Sequence, residues 1–320
     1  MRKLLFILLL CTTMAFGQWQ TGRKPMLGRQ VNLGHSLAPN AGCWLFNEGS
    51  GSQVFDLSGN GNTGTLVGTA HYVSGHFGPA ILLDGNSDYV NVGKLSDFGS
   101  NMDDVSFVIW VKSSDTTHMF SLMGSYNDGL SSCLDLGING DSDDNLNAGY
   151  IYGYIRDEDG VAQDLGVCVQ TNTGVTDGNL HCIVIVLHLS AGTAEIYVDG
   201  IAQTVTIEEA GTPDNRADFA YDLTIGARNI RGALDKYFNG IIDMPIIYNR
   251  GLYASEIAQL YWNPFCMFEP SLSVAQMYDY SGAPAPSGQV IMIQMTAIPF
   301  LLIVSIVLSF SLIRKNTDVK

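Results

Sequence analysis

From Gly42 to about Leu260 the chain is interrupted every few residues by clusters of Gly, Asn, Asp and Ser, and the runs between them are short and rich in β-branched and aromatic residues. No long amphipathic helix fits between such interruptions. A parallel sheet with crossover helices is therefore excluded, and an all-β, two-sheet antiparallel jelly-roll sandwich is expected. Strands are expected at 105–112, 118–124, 150–156, 182–189, 193–198 and 241–248. The run Ile183-Val184-Ile185-Val186-Leu187 is apolar at every position, which marks a central strand covered on both faces. Asp199-Gly200 supplies hairpin-turn chemistry. One short helix is expected at 255–262, ended by Pro264 after Asn263.

The two ends differ from this middle. Met1, Arg2 and Lys3 precede an apolar run, 4–10, that is too short to span a bilayer, and a small-residue exit follows at Ala15-Phe16-Gly17. These are the parts of a secretory signal peptide over 1–17. Cys11 is a poor lipoprotein acceptor, because Leu9 and Leu10 precede it. Residues 290–313 form an uncharged apolar stretch of about 24 residues, the length of a spanning helix. Arg314, Lys315 and Lys320 follow, so a tail at 314–320 is expected in the cytoplasm and everything before Val290 outside. The same basic tail argues against a removed anchoring signal. Between the ends the expected order is a polar leader at 18–40, the sandwich at 41–266, and a Pro, Gly and Ser linker at 267–289 that acts as a stalk.

Charge narrows the partners. Sixteen basic residues stand against 31 acidic ones, for a net charge of -15, and the basic residues form no run within the folded region. Nucleic acid is excluded, because neutralising phosphates needs clustered Lys and Arg. Outside the cytoplasm, Cys43, Cys133, Cys168, Cys182 and Cys266 make an odd set. Cys43 with Cys266, or Cys168 with Cys182, are open pairings, and buried free thiols are an equally good reading.

Several strings resemble the laminin G-like jelly roll of the concanavalin A-like lectin and glucanase superfamily. Trp44-Leu45-Phe46-Asn47-Glu48-Gly49 is similar to its opening strand, and Asp56-Leu57-Ser58-Gly59-Asn60-Gly61-Asn62-Thr63-Gly64 to its first loop. Leu83-Asp84-Gly85, the run around Trp110, Ile196-Tyr197-Val198-Asp199-Gly200, Thr224-Ile225-Gly226 and Phe238-Asn239-Gly240-Ile241-Ile242-Asp243 follow in the family's order. Ile247-Tyr248-Asn249-Arg250-Gly251-Leu252, with Glu256-Ile257 and Leu260-Tyr261, resembles its close. The chain departs from the pattern at Leu180, where a Trp is usual, at Tyr253, where a capping Ser is usual, and at Met244-Pro245. The resemblance implies a mostly non-catalytic module that binds glycans or proteins, often with a structural calcium ion.

Calcium takes six to eight oxygens, which Asp- and Asn-rich turns supply. Asp56, Asn60 and Asn62, together with Glu48 and Asp243 on the first and last strands, form the expected calcium set, the alternative being an Asx-turn loop that caps its own backbone. A second acidic loop carries Asp141 and Asp143, which would hold an ion or sugar hydroxyls, or else form a solvated hairpin tip. Asp84-Gly85-Asn86-Ser87-Asp88 is read as a tight turn.

Tyr150, Tyr152 and Tyr154 alternate with Ile151, Gly153 and Ile155, so three phenols share one strand face. With the Ile face inward, the tyrosines line an exposed sheet, Arg156 sits at its edge, and flat rings with polar tips suit sugars and protein surfaces alike. The opposite orientation would bury the tyrosines in the core.

Catalysis finds no motif. No Glu-x-Asp-x-x-Glu string is present to flank a glycosidic bond, Gly34-His35-Ser36 lacks a strand-turn-helix context, and the histidines show no zinc spacing. The expected function is a membrane-anchored, extracellularly exposed carbohydrate-binding or adhesive module. Its rival is a structural or assembly protein of a cell envelope or virus particle without sugar binding, and a glycan hydrolase with an unrecognised site is a distant third.

Overall fold

The computed structural model describes residues 22–95, 104–125, 133–139, 149–156, 168–171, 174–209 and 221–268. All of them belong to one compact unit, Met1–Ser271. The segments expected as a signal peptide (1–17), a spanning helix (290–313) and a tail (314–320) lie outside the described residues, as does the expected linker apart from Met267 and Phe268, which are buried in the domain. Among those described, no helix is long and apolar enough to cross a membrane.

Two large antiparallel sheets form the sandwich. The eight-stranded sheet runs Ile201–Ala202, Thr193–Val198, Leu180–His188, Asp104–Lys112, Asn239–Tyr248, Pro79–Asp84 and His71–Ser74, with Gly42–Cys43 pairing on the Asn239–Tyr248 strand. The nine-stranded sheet runs Val205–Glu209, Cys168–Thr171, Tyr150–Arg156, Cys133–Asn139, Phe120–Ser125, Leu223–Ile225, Tyr89–Gly93, Gly64–Val67 and Gln53–Val54. A separate hairpin pairs Arg228–Ile230 with Ala233–Asp235.

The alternation of side chains builds two cores. Between the sheets lie Phe107, Ile109, Leu134, Leu136, Ile138, Ile151, Ile155, Ile183, Ile185 and Leu187. On the far side of the eight-stranded sheet, Val108, Trp110, Val184 and Val186 meet Leu37, Leu252, Ile257, Leu260 and Phe265. The uniformly apolar run at 183–187 is therefore covered on both faces, its odd positions by the sandwich and its even positions by this outer layer. Burying one such aliphatic side chain stabilises the fold by roughly 1.5–3 kcal/mol, which explains why neither face tolerates a polar residue.

The outer layer comes from both ends of the domain. The helix Ala254–Trp262 buries Ile257 and Leu260, and Tyr261 stacks on Trp110 with centroids 5.8 Å apart. Tyr253 starts this helix without a side-chain cap, and the Glu256 carboxylate accepts its backbone N–H at 3.0 Å instead. The segment read as a polar leader straps onto the same face from residue 22 onward. Leu37 is fully buried, its carbonyl accepts the Tyr248 hydroxyl, and the Ser36 carbonyl accepts Arg250. Cys43, Cys182 and Cys266 are buried thiols in this layer.

Asp199 and Gly200 both adopt positive φ, as the hairpin between Val198 and Ile201 requires. The Asp84 carboxylate accepts the backbone N–H groups of Asn86, Ser87 and Asp88, which makes 84–88 the expected tight turn.

Candidate ligand-binding face

The strand Tyr150–Arg156 pairs in register with Cys133–Asn139, so that Tyr152 lies opposite Gly137 and Tyr154 opposite Asp135. Ile151 and Ile155 enter the sandwich core. The tyrosines therefore occupy the opposite, outer face of the nine-stranded sheet. The strand is not an open aromatic stripe, however. Tyr152 is only 8% exposed, and Tyr150 and Tyr154 are half-buried.

Two glycines allow this burial. A methyl group at Gly137 would stand 2.5 Å from the Tyr152 phenol and 2.0 Å from the Phe120 carbonyl, so the ring lies across bare backbone. A methyl group at Gly124 would stand 2.8 Å from the Arg228 Cα, so the hairpin Arg228–Ile230/Ala233–Asp235 can rest on the strand Phe120–Ser125. The hairpin turns through Arg231 and Gly232 at positive φ, and the Asn229 side chain ties it to Gly232 N–H and the Asp222 carbonyl.

This arrangement places charges around the phenol. The Tyr152 hydroxyl lies 3.2 Å from each oxygen of Asp135 and 3.3 Å from the Phe120 carbonyl. Lys236 Nζ donates to Asp135 at 3.0 Å, lies 3.3 Å from the phenol oxygen, and sits 5.0 Å from the ring centroid. Arg228 grips Asp235 through two bonds of 2.8 and 2.6 Å and reaches Asp135 at 3.4 Å. Burial, reinforced by the Asp135 charge, pushes the Tyr152 phenol well above its usual range, so it stays a neutral hydrogen-bond donor. Tyr152 and Asp135 are buried beneath this cluster and fix its geometry, while the half-buried Arg228 and Lys236 carry its charge towards the outer face as hydrogen-bond donors.

Sequence alternation placed Tyr152 on the outer face of the sheet and gave no sign of the residues around it. Asp135 is the one charge between Leu134 and Leu136. Arg228, Asp235 and Lys236 carried no signal, because their relation to the strand is purely tertiary. Asp141, Asp143 and the Arg156 side chain lie outside the described residues.

The expected calcium set is engaged by protein groups: Asp56, Asn60 and Asn62 bond within and around their own loop, and Asp243 holds Lys24. The Asp56 carboxylate accepts Cys43 N–H, Ser58 N–H, Ser58 Oγ–H and Asn62 N–H, all at 2.9–3.0 Å. Asn60 and Asn62 donate their amides to the Ala41 carbonyl, and the Asn62 carbonyl accepts the buried Trp44 indole at 2.7 Å. That loop is an Asx turn closed over Trp44. Glu48 accepts Phe55 N–H and the Tyr72 hydroxyl. Asp243 is paired with Lys24, and burial raises its carboxyl to about 7 against the pull of that ammonium. Among the described residues no three His, Cys, Asp or Glu side chains converge as metal ligands. These residues do not fit a calcium cage.

Comparisons with known proteins agree with this architecture. The laminin G-like model of the concanavalin A-like lectin/glucanases superfamily matches residues 84–258, more than half of the chain. The protein belongs to that superfamily. A search of curated protein sequences returned no match. Among solved structures, the receptor-binding domain of botulinum neurotoxin C/D mosaic serotype aligns with TM-score 0.52 at 15% identity, covering 69% of this chain and 50% of that one. The botulinum neurotoxin serotype D domain solved with N-acetylneuraminic acid aligns with TM-score 0.50 at 13% identity, over 72% and 51%. Domain 4 of the Geobacillus stearothermophilus arabinanase AbnA, solved with arabinotriose, aligns with TM-score 0.48 at 20% identity, over 69% and 97%. This chain spans about half the length of the toxin domains, and the likeness is one of fold.

Proposed function

We propose that the protein is a non-catalytic, glycan-binding or adhesive module displayed on the outer side of a membrane. The observation that carries this reading is the fixed group of Tyr152, Asp135, Lys236 and Arg228 on the outer face of the nine-stranded sheet. Sugar recognition needs aromatic surface and paired donors and acceptors that are already ordered, because ordering them at the moment of binding would cost affinity. The cluster meets that need through its ion pairs. The N-acetylneuraminic acid bound to the toxin domain of like fold makes glycans the ligand class to test first.

A binding role also accords with the sequence, which contains no Glu-x-Asp-x-x-Glu string of the kind that flanks a glycosidic bond. The uncharged stretch at 290–313 and the basic tail after it support tethering by a single helix, and the N-terminal segment supports export.

The test is a glycan array probed with the purified chain and with Arg228→Ala and Lys236→Ala variants. Selective retention by the parent, weakened at least tenfold in both variants, is the expected result. Retention of no glycan would sink the proposal, and a large homo-oligomer in that case would favour the assembly role.

A further inference from the structure

Lys24 lies in the strap that precedes the first strand, yet its ammonium sits deep in the domain. Its backbone N–H donates to the Phe77 carbonyl at 3.0 Å, and its Nζ donates to both the Pro79 carbonyl and the Asp243 carboxylate. The Lys24 side chain is 3% exposed and that of Asp243 1%. Glu48 contributes a second negative charge to the ammonium's surroundings. The other carboxylate oxygen, Asp243 Oδ2, is buried without a hydrogen-bond partner among the described residues. Gly75 packs close to it: a methyl group there would stand 3.5 Å from Oδ2 but only 2.8 Å from Ala80 Cβ and 2.9 Å from the Gly78 carbonyl.

A compact positive charge held by a buried carboxylate and a backbone carbonyl has the oxygen surroundings of a hard cation. An ammonium satisfies such oxygens in a different way from a metal ion. Its three protons reach particular lone pairs at particular angles, and here they serve Asp243 Oδ1 and leave Oδ2 orphaned. A divalent ion would draw on both oxygens of that carboxylate. Burying an ionised Asp243 without a cation is strongly unfavourable, so the site holds either a positive charge or a proton on the carboxyl, which burial already raises to about 7.

We infer that Lys24 is a tethered substitute for a metal ion between the strands Pro79–Asp84 and Asn239–Tyr248. The fold is then independent of calcium, and removing the ammonium opens a divalent-cation site at Asp243 and the Pro79 carbonyl. The disagreement between the family's expected calcium and this donor set has the same origin, since the position is taken by the chain itself. The inference stands apart from glycan binding, because it concerns the opposite sheet.

Thermal melting of the purified full chain, with millimolar calcium or with chelator, tests it. The parent should melt at the same temperature in both. Lys24→Ala should melt about 10 °C lower in chelator, having left a buried carboxylate unpaired. Calcium should raise that variant by about 5 °C, and magnesium by less, because it demands stricter geometry and dehydrates reluctantly. The double variant Lys24→Met with Asp243→Asn removes both charges and should fold in chelator without any calcium response. Recovery of folded Lys24→Ala only in the presence of calcium would support the inference. Loss of stability of the parent in chelator would overturn it, as would a Lys24→Ala variant that calcium does not rescue or that melts like the parent.

Discussion

The Tyr152 ring rests directly on Gly137, the residue it faces across the strand pair, with room for no side chain between them. Gly137→Ala should therefore push the phenol off the sheet and break its contacts with Asp135 and Lys236. The clash also involves the Phe120 carbonyl, so a destabilisation of about 1–3 kcal/mol is expected from overpacking. Urea denaturation measures the stability, and the glycan array measures the ligand. A variant with unchanged stability and unchanged retention would remove Tyr152 from the site.

His181 makes stability depend on pH. Its Nδ1 lies 2.8 Å from Asp199 and its Nε2 3.0 Å from Asp177. The hydrogen bond to Asp199, with help from Asp177, raises the imidazole to about 9 against the opposing effect of burial. The folded value lies above the unfolded one, so the contribution is complete below about pH 6.5 and disappears as pH rises through 9. The group is half-buried, and solvent screening limits the effect to about 1 kcal/mol. Melting should fall from pH 6.5 to 9.5 in the parent and change less in His181→Gln. Equal slopes in the two proteins would contradict the assignment.

Asp56 holds the first loop together through four donors. Asp56→Ala leaves those donors unpaired, including the Cys43 N–H beside the core, and should cost about 3 kcal/mol. The loss should be the same with calcium and with chelator, since the carboxylate acts on protein N–H and O–H groups. A loss that appears only when calcium is present would show that the loop binds the ion.

Much of the scaffold could be read locally. The run at 183–187 announced its two-sided burial because every position was apolar, and the outer layer that covers the even positions is present. Alternation in 150–156 placed Ile151 and Ile155 in the core and the tyrosines opposite them. It did not reveal that a hairpin would bury Tyr152, since Asp135 and Lys236 are 101 residues apart and only the fold brings them together. The polar strap at 22–40 had no period to read, and its anchoring rests on isolated contacts such as Leu37 under Tyr248.

The sequence alone determined the six longer strands named from it, the turns at Asp84 and Asp199 and the two-sheet sandwich, because side-chain period and glycine conformation act over a few neighbouring residues. Tertiary structure decided which charges meet. Lys24 and Asp243 are separated by 219 residues, and neither carries a local mark of the other. Their pairing depends on burial, which exists only after the sheets have closed and water has been excluded.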